Sequence, residues 1–214
     1  MSDGVKREYR SELRAAQARE TKRRIVAAAT ELFVAHGYSG TSIDAIAAAA
    51  GVSRKTVFTA VGGKAELLSA ALDWAIAGDD APVPLADRSE VAALWELDDA
   101  VDLLRGWAHL IASIDARVGG LFAALQTAAT VDDAAHALLD KLHGQRRAGA
   151  RTVVNAVTAR GQLRDGLSPS AAKDLACLFS DPSLYRHLVG LHGWSDRRFE
   201  RWLADTLCQQ LLSG

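Results

Sequence analysis

The chain has 214 residues, 49% of them apolar, with 17 glycines and 4 prolines; that allows one large domain or a small one plus a larger one, and argues against a strand-rich fold. Its formal net charge of −1 is unevenly spread: residues 1–64 hold 11 Lys/Arg against 6 Asp/Glu, a net of +5, which leaves −6 for residues 65–214. A basic head on an acidic body points to a polyanion at one end, while Cys177 and Cys208, outside any CxxC pair or His cluster, argue against a zinc site or a disulfide scaffold.

Residues 1–20 are polar and basic with no apolar stripe to tie them to a core; they read as a mobile arm that extends the first helix. From Thr21 the pattern sharpens. Ile25, Ala28, Ala29, Leu32 and Phe33 fall on one helical face, and Gly37 follows as a left-handed cap with Tyr38 packed back on the helix end. Thr41, Ser42, Ile43 and Asp44 fit a capping box that opens a second, short helix, buried through Ile43, Ile46, Ala47 and Ala50 and ended by Gly51. Val52 alone separates Gly51 from Ser53, the N-cap of a third helix. Two short helices across a tight glycine turn make a helix-turn-helix pattern. Val57 and Val61 then face inward, which leaves Arg54, Lys55, Thr56 and Thr59 outward. Gly62 and Gly63 break the third helix, and Lys64 opens a fourth that runs through Leu67, Leu68, Ala71, Leu72 and Trp74 to Ala77.

Residues 78–88, with Pro82, Pro84 and three aspartates, form the clearest loop, and a short helix follows over 89–95. Asp98 and Asp99 start a long helix, apolar nearly all round through Leu103, Leu104, Trp107, Leu110, Ile111 and Ile114. Gly119 and Gly120 interrupt it before a separate helix over 121–130, and residues 132–160 form a long amphipathic one. Ser168 and Pro169 open the next helix, with Leu175, Leu178 and Phe179 as its apolar face. Asp181 and Pro182 restart it before Leu184, Leu188 and Val189, and Ser195 caps the last helix, which carries Phe199, Trp202, Leu203, Leu207 and Leu211. The fold class is all-α.

Residues 25–68 resemble the DNA-binding head of the TetR family of bacterial transcriptional regulators. The matching positions are Ala28 and Ala29 with Leu32 and Phe33, then Gly37-Tyr38, Thr41-Ser42-Ile43, Ile46-Ala47, Gly51-Val52-Ser53, Val57, and Lys64 with Leu67-Leu68. Pro182, Leu184-Tyr185, Gly193-Trp194-Ser195 and Trp202-Leu203 are also typical of many members. The resemblance implies an all-α fold of about nine helices, a dimer and an effector pocket in the body. The expected organisation is a basic arm over 1–20, a three-helix helix-turn-helix DNA-binding domain over 21–68, and a larger ligand-binding and dimerisation domain over 69–214. Phe58 stands where the family usually has tyrosine, and Ala60 where it has tyrosine or histidine; those groups commonly reach phosphates, so two backbone contacts are missing or replaced. Gly62-Gly63 stands where a proline or serine often precedes the lysine.

In that reading the third helix enters the major groove of an operator. Arg54 and Lys55 pair with guanine edges or neutralise phosphates, Thr56 touches a thymine methyl or a phosphate, and Phe58 and Thr59 complete the outward face. Thr41, Ser42 and Lys64 suit phosphates, and the arm adds attraction that weakens with salt. A homodimer would read a near-palindromic site, with the last two helices of two copies burying Leu175, Phe179, Leu188, Phe199, Trp202 and Leu207 in a four-helix bundle. Release needs a ligand that prefers the non-binding state. Trp107, Leu110, Phe122, Leu125, Gln126 and His143 are the candidate pocket lining, each with plain core or surface as its rival role; most are apolar, so a small apolar or aromatic effector is expected.

No GxSxG, P-loop, HExxH or dinucleotide fingerprint occurs, and His109, His136 and His143 lack metal-ligand spacing; no catalytic residue, cofactor or metal is expected. The charged N-terminus has no signal-peptide core and no run reaches the apolar length of a membrane span, so a soluble, cytoplasmic, nucleoid-associated bacterial protein is expected, with no membrane partner. The rival reading is a ligand-binding or protein-interaction module with degraded DNA binding, which Phe58 and Ala60 keep open. Repressor and activator are not separable from these residues.

Overall fold

The computed structural model describes residues 3–81 and 83–213, with side chains from position 12 onward. The side chains of Lys6, Arg7 and Arg10 in the expected arm, and Pro82 in the expected loop, lie outside the described residues. Among the described residues there are ten α-helices: α1 (Asp3–Gly40), α2 (Ile43–Ala50), α3 (Arg54–Ala60), α4 (Lys64–Ala77), α5 (Ser89–Trp95), α6 (Ala100–Ala128), α7 (Asp133–Arg160), α8 (Pro169–Phe179), α9 (Pro182–Tyr185) and α10 (Asp196–Leu211). A 3₁₀ turn spans Leu85–Asp87, a π-helical turn spans Arg186–Leu191, and a single antiparallel bridge joins Leu163 to Leu212. The expected arm is helix: α1 runs unbroken from Asp3 until Gly37.

Helix starts follow their caps. Asp99 Oδ1 accepts from the backbone N–H groups of Val101 and Asp102, and Asp132 Oδ1 from those of Ala134 and Ala135. Ser168 and Ser195 cap α8 and α10 in the same way. Each such bond satisfies a donor that the first turn leaves free. The loop after α4 is pinned rather than slack: Asp80 pairs with Arg23 of α1, and Asp79 with Arg88.

Two apolar cores sit end to end along α6. The first joins Ile25, Ala29 and Phe33 of α1, Ile46 of α2, Val57 of α3 and Leu67, Leu68 and Leu72 of α4 to Val118, Leu121, Phe122 and Leu125 of α6. The second gathers Leu103, Leu104 and Trp107 of α6 with Val153, Val154 and Val157 of α7, Ala172 and Ala176 of α8, and Phe199, Leu203, Leu207 and Leu211 of α10. Helix α6 is therefore the spine of the molecule. It is long and apolar enough to cross a membrane by length and composition, contrary to the expectation above. Here it is covered by α1, α4, α7 and α10 instead.

Gly119 and Gly120 do not break α6, which continues to Ala128. Glycine weakens a helix by only about 1 kcal/mol, and burial on several sides outweighs that. Gly120 has a packing role: a Cβ there would lie 3.0 Å from both methyls of Val34, so the missing side chain lets α1 approach α6. At Gly37 the chain takes φ 70°, ψ 178°, an extended conformation open almost only to glycine rather than a left-handed helical cap. Nothing lies within 4 Å of a Cβ built at Gly37. Gly37→Ala should therefore destabilise by about 1–3 kcal/mol through backbone strain alone, a loss that urea unfolding would show with an unchanged m-value.

Candidate nucleic-acid interface

The cap of α2 is Ser42, one residue later than the capping box placed it. Ser42 Oγ accepts from the Ala45 N–H at 3.1 Å. Thr41 is 2% exposed, and its hydroxyl faces the carbonyls of Gly37 at 2.8 Å and Leu32 at 3.0 Å. Its side chain closes the α1–α2 corner and is not presented to a phosphate, which corrects that expectation. Gly51, with φ 64°, ends α2, and the Val52 N–H folds back to Ala47 O at 3.0 Å. Ser53 Oγ then accepts from the Thr56 N–H at 3.1 Å and pairs with the Thr56 hydroxyl at 2.8 Å. The turn is thus held at both ends by its own caps.

Val57 is fully buried and orients α3. Arg54, Lys55, Phe58 and Thr59 are exposed along its opposite side, at the spacing of one helical face. Thr56 is half-buried, and the Thr59 hydroxyl donates to Lys55 O at 2.9 Å. Arg54 Nη1 pairs with Asp44 Oδ2 of α2 at 2.8 Å, and its guanidinium lies 5.7 Å from the Phe58 ring. Asp44 is a participant that sequence reasoning assigned only to capping. Phe58 is 47% exposed, an apolar ring on a polar face. It lacks the hydroxyl for phosphate but suits a thymine methyl.

Lys64 is half-buried, its Nζ 4.3 Å from the centre of the Tyr38 ring. Burial lowers its pKa, and Asp132 pulls it back up. The Tyr38 hydroxyl donates to Asp132 Oδ2 at 2.7 Å; burial first and that bond second raise the phenol pKa. This chain of contacts links the start of α4 and the end of α1 to the start of α7. A second link is Arg117 of α6, whose Nε donates to Ala75 O at 2.7 Å and whose Nη2 donates to Ile76 O at 3.3 Å, at the C-terminal end of α4.

The six candidate pocket residues fall into two groups along α6, and only part of the set is brought together. Trp107 belongs to the second core and Phe122 and Leu125 to the first. Leu110 is half-buried beside the second core, Gln126 is exposed with its amide 3.4 Å from Ser183 Oγ, and His143 lies 6.4 Å from the Phe122 ring. A groove of about 510 Å³ lies elsewhere, between α1, α4 and α6, against Ala27, Thr30, Ala71, Trp74 and Arg117.

The dimer candidates divide. Phe199 and Leu207 are fully buried within their own chain, in the second core. Leu175, Phe179, Leu188 and Trp202 are only half-buried, and Leu178 is 57% and Leu191 71% exposed. On α8 the chain's own core takes Ala172 and Ala176. The apolar stripe of Leu175, Leu178 and Phe179 is therefore not the face that this chain's own core takes.

These arrangements define a helix-turn-helix head carried on an all-α body. Residues 25–71, the head, match the family of bacterial regulatory proteins, tetR family. Over 58 residues the chain is 50% identical to the HTH-type transcriptional regulator SrpR of Pseudomonas putida, a stretch that is 27% of each protein. It is 48% identical over 58 residues, 27% of this chain and 43% of the relative, to TtgW, an uncharacterized HTH-type transcriptional regulator also from Pseudomonas putida. The matched stretch thus spans less than half the length of either curated relative. The whole fold is similar to the crystal structure of a proposed transcriptional regulator from Saccharomonospora viridis in complex with choline: TM-score 0.69, 21% identity, 91% of this chain and 99% of that one. That likeness speaks for the fold.

Proposed function

We propose that the chain is a homodimeric, one-component transcriptional repressor whose head binds a near-palindromic operator and whose body releases it on binding a small-molecule effector. The observation that carries the reading is the rigidly capped α2–turn–α3 unit, with Val57 buried and Arg54 and Lys55 exposed at the start of α3. Residues 1–20 serve as a basic arm, 21–68 as the DNA-binding domain, and 69–214 as the effector and dimerisation domain. The second copy covers the outward faces of α8 and α10, where Leu175, Leu178 and Trp202 stand. The choline held by the Saccharomonospora viridis protein supports a small organic effector. Regulation of transcription, rather than catalysis, in the cytoplasm and on the nucleoid follows from the same reading.

Selection of bound fragments from a random duplex library tests it, with an inverted repeat as the expected product. Lys55→Ala should weaken binding to that repeat about tenfold, and lower the salt slope by about one if the contact is to phosphate. Asp44→Asn should act in the opposite sense. It removes a carboxylate from the DNA-facing side and frees Arg54, so binding should tighten about threefold to tenfold. A folded dimer that enriches no repeat would sink the reading and favour a head that no longer binds DNA.

A further inference from the structure

The body holds a charged cluster that the DNA-binding reading leaves unused. Asp115 lies mid-way along α6 and is 2% exposed. Its Oδ2 is buried without a hydrogen-bond partner, an uncommon and unfavourable state for a carboxyl group. From α7 comes Arg146, paired with Asp181 at 2.8 Å and 5.7 Å from the Phe122 ring of α6. Arg146 Nε is likewise buried with no acceptor. His143 stands one turn earlier on α7, its ring centre 6.4 Å from that of Phe122. From α9, Tyr185 lies against Gly119, one turn along α6 from Asp115, and its hydroxyl donates to Asp196. Tyr185 is followed directly by the π-helical turn Arg186–Leu191, a rare form that is frequent at functional sites.

The charges in this cluster do not balance. Asp115 and Asp181 are two carboxyl groups facing one guanidinium. Burial, and then Arg146, lower the pKa of His143, which keeps its ring neutral at neutral pH. Asp115 meets the deficit by holding its proton: burial and Asp181 raise its pKa to about 8, against the pull of Arg146. A ligand with a positive charge would supply what is missing, with the Phe122 and Tyr185 rings beside it for its alkyl groups. An anion would meet two acids, and a neutral ligand would leave Asp115 holding its proton.

We propose that Asp115 anchors a small organic cation, an amine or quaternary ammonium compound lodged between α6, α7 and α9, and that this cation is the effector. The inference rests on the effector-released regulator proposed above. It replaces the apolar effector expected from composition with one that has an apolar body and a positive head. Binding exchanges the Asp115 proton for the ligand's charge, so affinity should rise with pH up to about 8.

Thermal unfolding tests this on the full chain, with benzyltrimethylammonium, tetraethylammonium and phenethylamine as probes. Benzyl alcohol, sodium benzoate and sodium chloride at equal ionic strength are the controls. At least one cation should raise Tm by about 3–5 °C at ten times its Kd, more at pH 8.5 than at pH 6.5. Asp115→Asn should abolish the rise, and Asp115→Glu should keep part of it. No response to any cation beyond the salt control, or an equal response in Asp115→Asn, overturns the proposal. Fluorescence anisotropy on a selected operator separates the two readings. A chain that binds operator but ignores all the cations loses only this inference. A chain that binds cations through Asp115 and no duplex keeps the site and loses the regulator.

Discussion

Replacing Asp115 by asparagine should remove most of the fall in stability that this group imposes between about pH 4 and pH 8. The carboxyl has a folded pKa of about 8, far above its ordinary 3.8. The folded state therefore holds a proton that the unfolded state has lost. The stabilisation is complete below about pH 4 and is lost as pH rises to about 8, at roughly 1.4 kcal/mol per unit. The full window is worth at most about 6 kcal/mol, and structural relaxation around a buried charge reduces it. Asparagine cannot ionise, so the variant's advantage over the parent should grow across that range and level off above it. His143 works in the other direction at lower pH, because its pKa is depressed, but it is common to both proteins. Arg146, Asp181 and Tyr185 are common to both as well. Urea unfolding at pH 5, 7 and 9 reads the difference; an advantage that does not change with pH would show that Asp115 ionises normally.

Phe33→Ala should lose about 3–5 kcal/mol, a large share of the stability of an ordinary domain. Phe33 is 1% exposed in the first core and stacks on Tyr38 with ring centres 5.8 Å apart. Tyr38 in turn holds Asp132 through its hydroxyl and lies under Lys64. Truncation therefore leaves a cavity and loosens the junction of α1, α4 and α7 together. Operator affinity should fall although Phe33 is nowhere near the exposed side of α3. Denaturant unfolding and anisotropy on the same samples check both effects, and a loss below about 1 kcal/mol would mean that the site collapses without a void.

Much of this architecture was legible because helix starts depend on nearby side chains. Ser53, Ser168 and Ser195 could be read as opening their helices, and the structure has them as N-caps, while Asp132, counted inside its helix, turns out to cap it. Tertiary packing was not legible in the same way. Gly119 and Gly120 look like a break to any rule that counts local preference, yet burial carries α6 through them, and Gly120 leaves the room that Val34 occupies. The candidate pocket residues span more of one helix than a single site can use. Trp107 and Phe122 lie on one helix, 15 residues and so about 22 Å apart. No small ligand touches both. Asp115 did carry a readable signal: it falls on the helical face that Ile111, Val118 and Phe122 share, an acid where an apolar residue belongs. On α8 the apolar stripe of Leu175, Leu178 and Phe179 could be read, but not that small residues, Ala172 and Ala176, make the face the chain's own core takes.

The core that runs from α1–α4 into α6 has a consequence for anyone who would recombine such proteins. Residues 25–71 look like a cassette, yet Leu67, Leu68 and Ala71 are packed in the same core as Val118, Leu121 and Leu125. Val34 also leans on the bare backbone of Gly120. A chimera that imports a relative's reading head onto this body inherits a seam cut through the middle of a hydrophobic core. Compatibility will be decided at positions 34 and 120 rather than on α3. Transplants that carry the facing half of α6 along with the head should express and fold where the bare cassette aggregates.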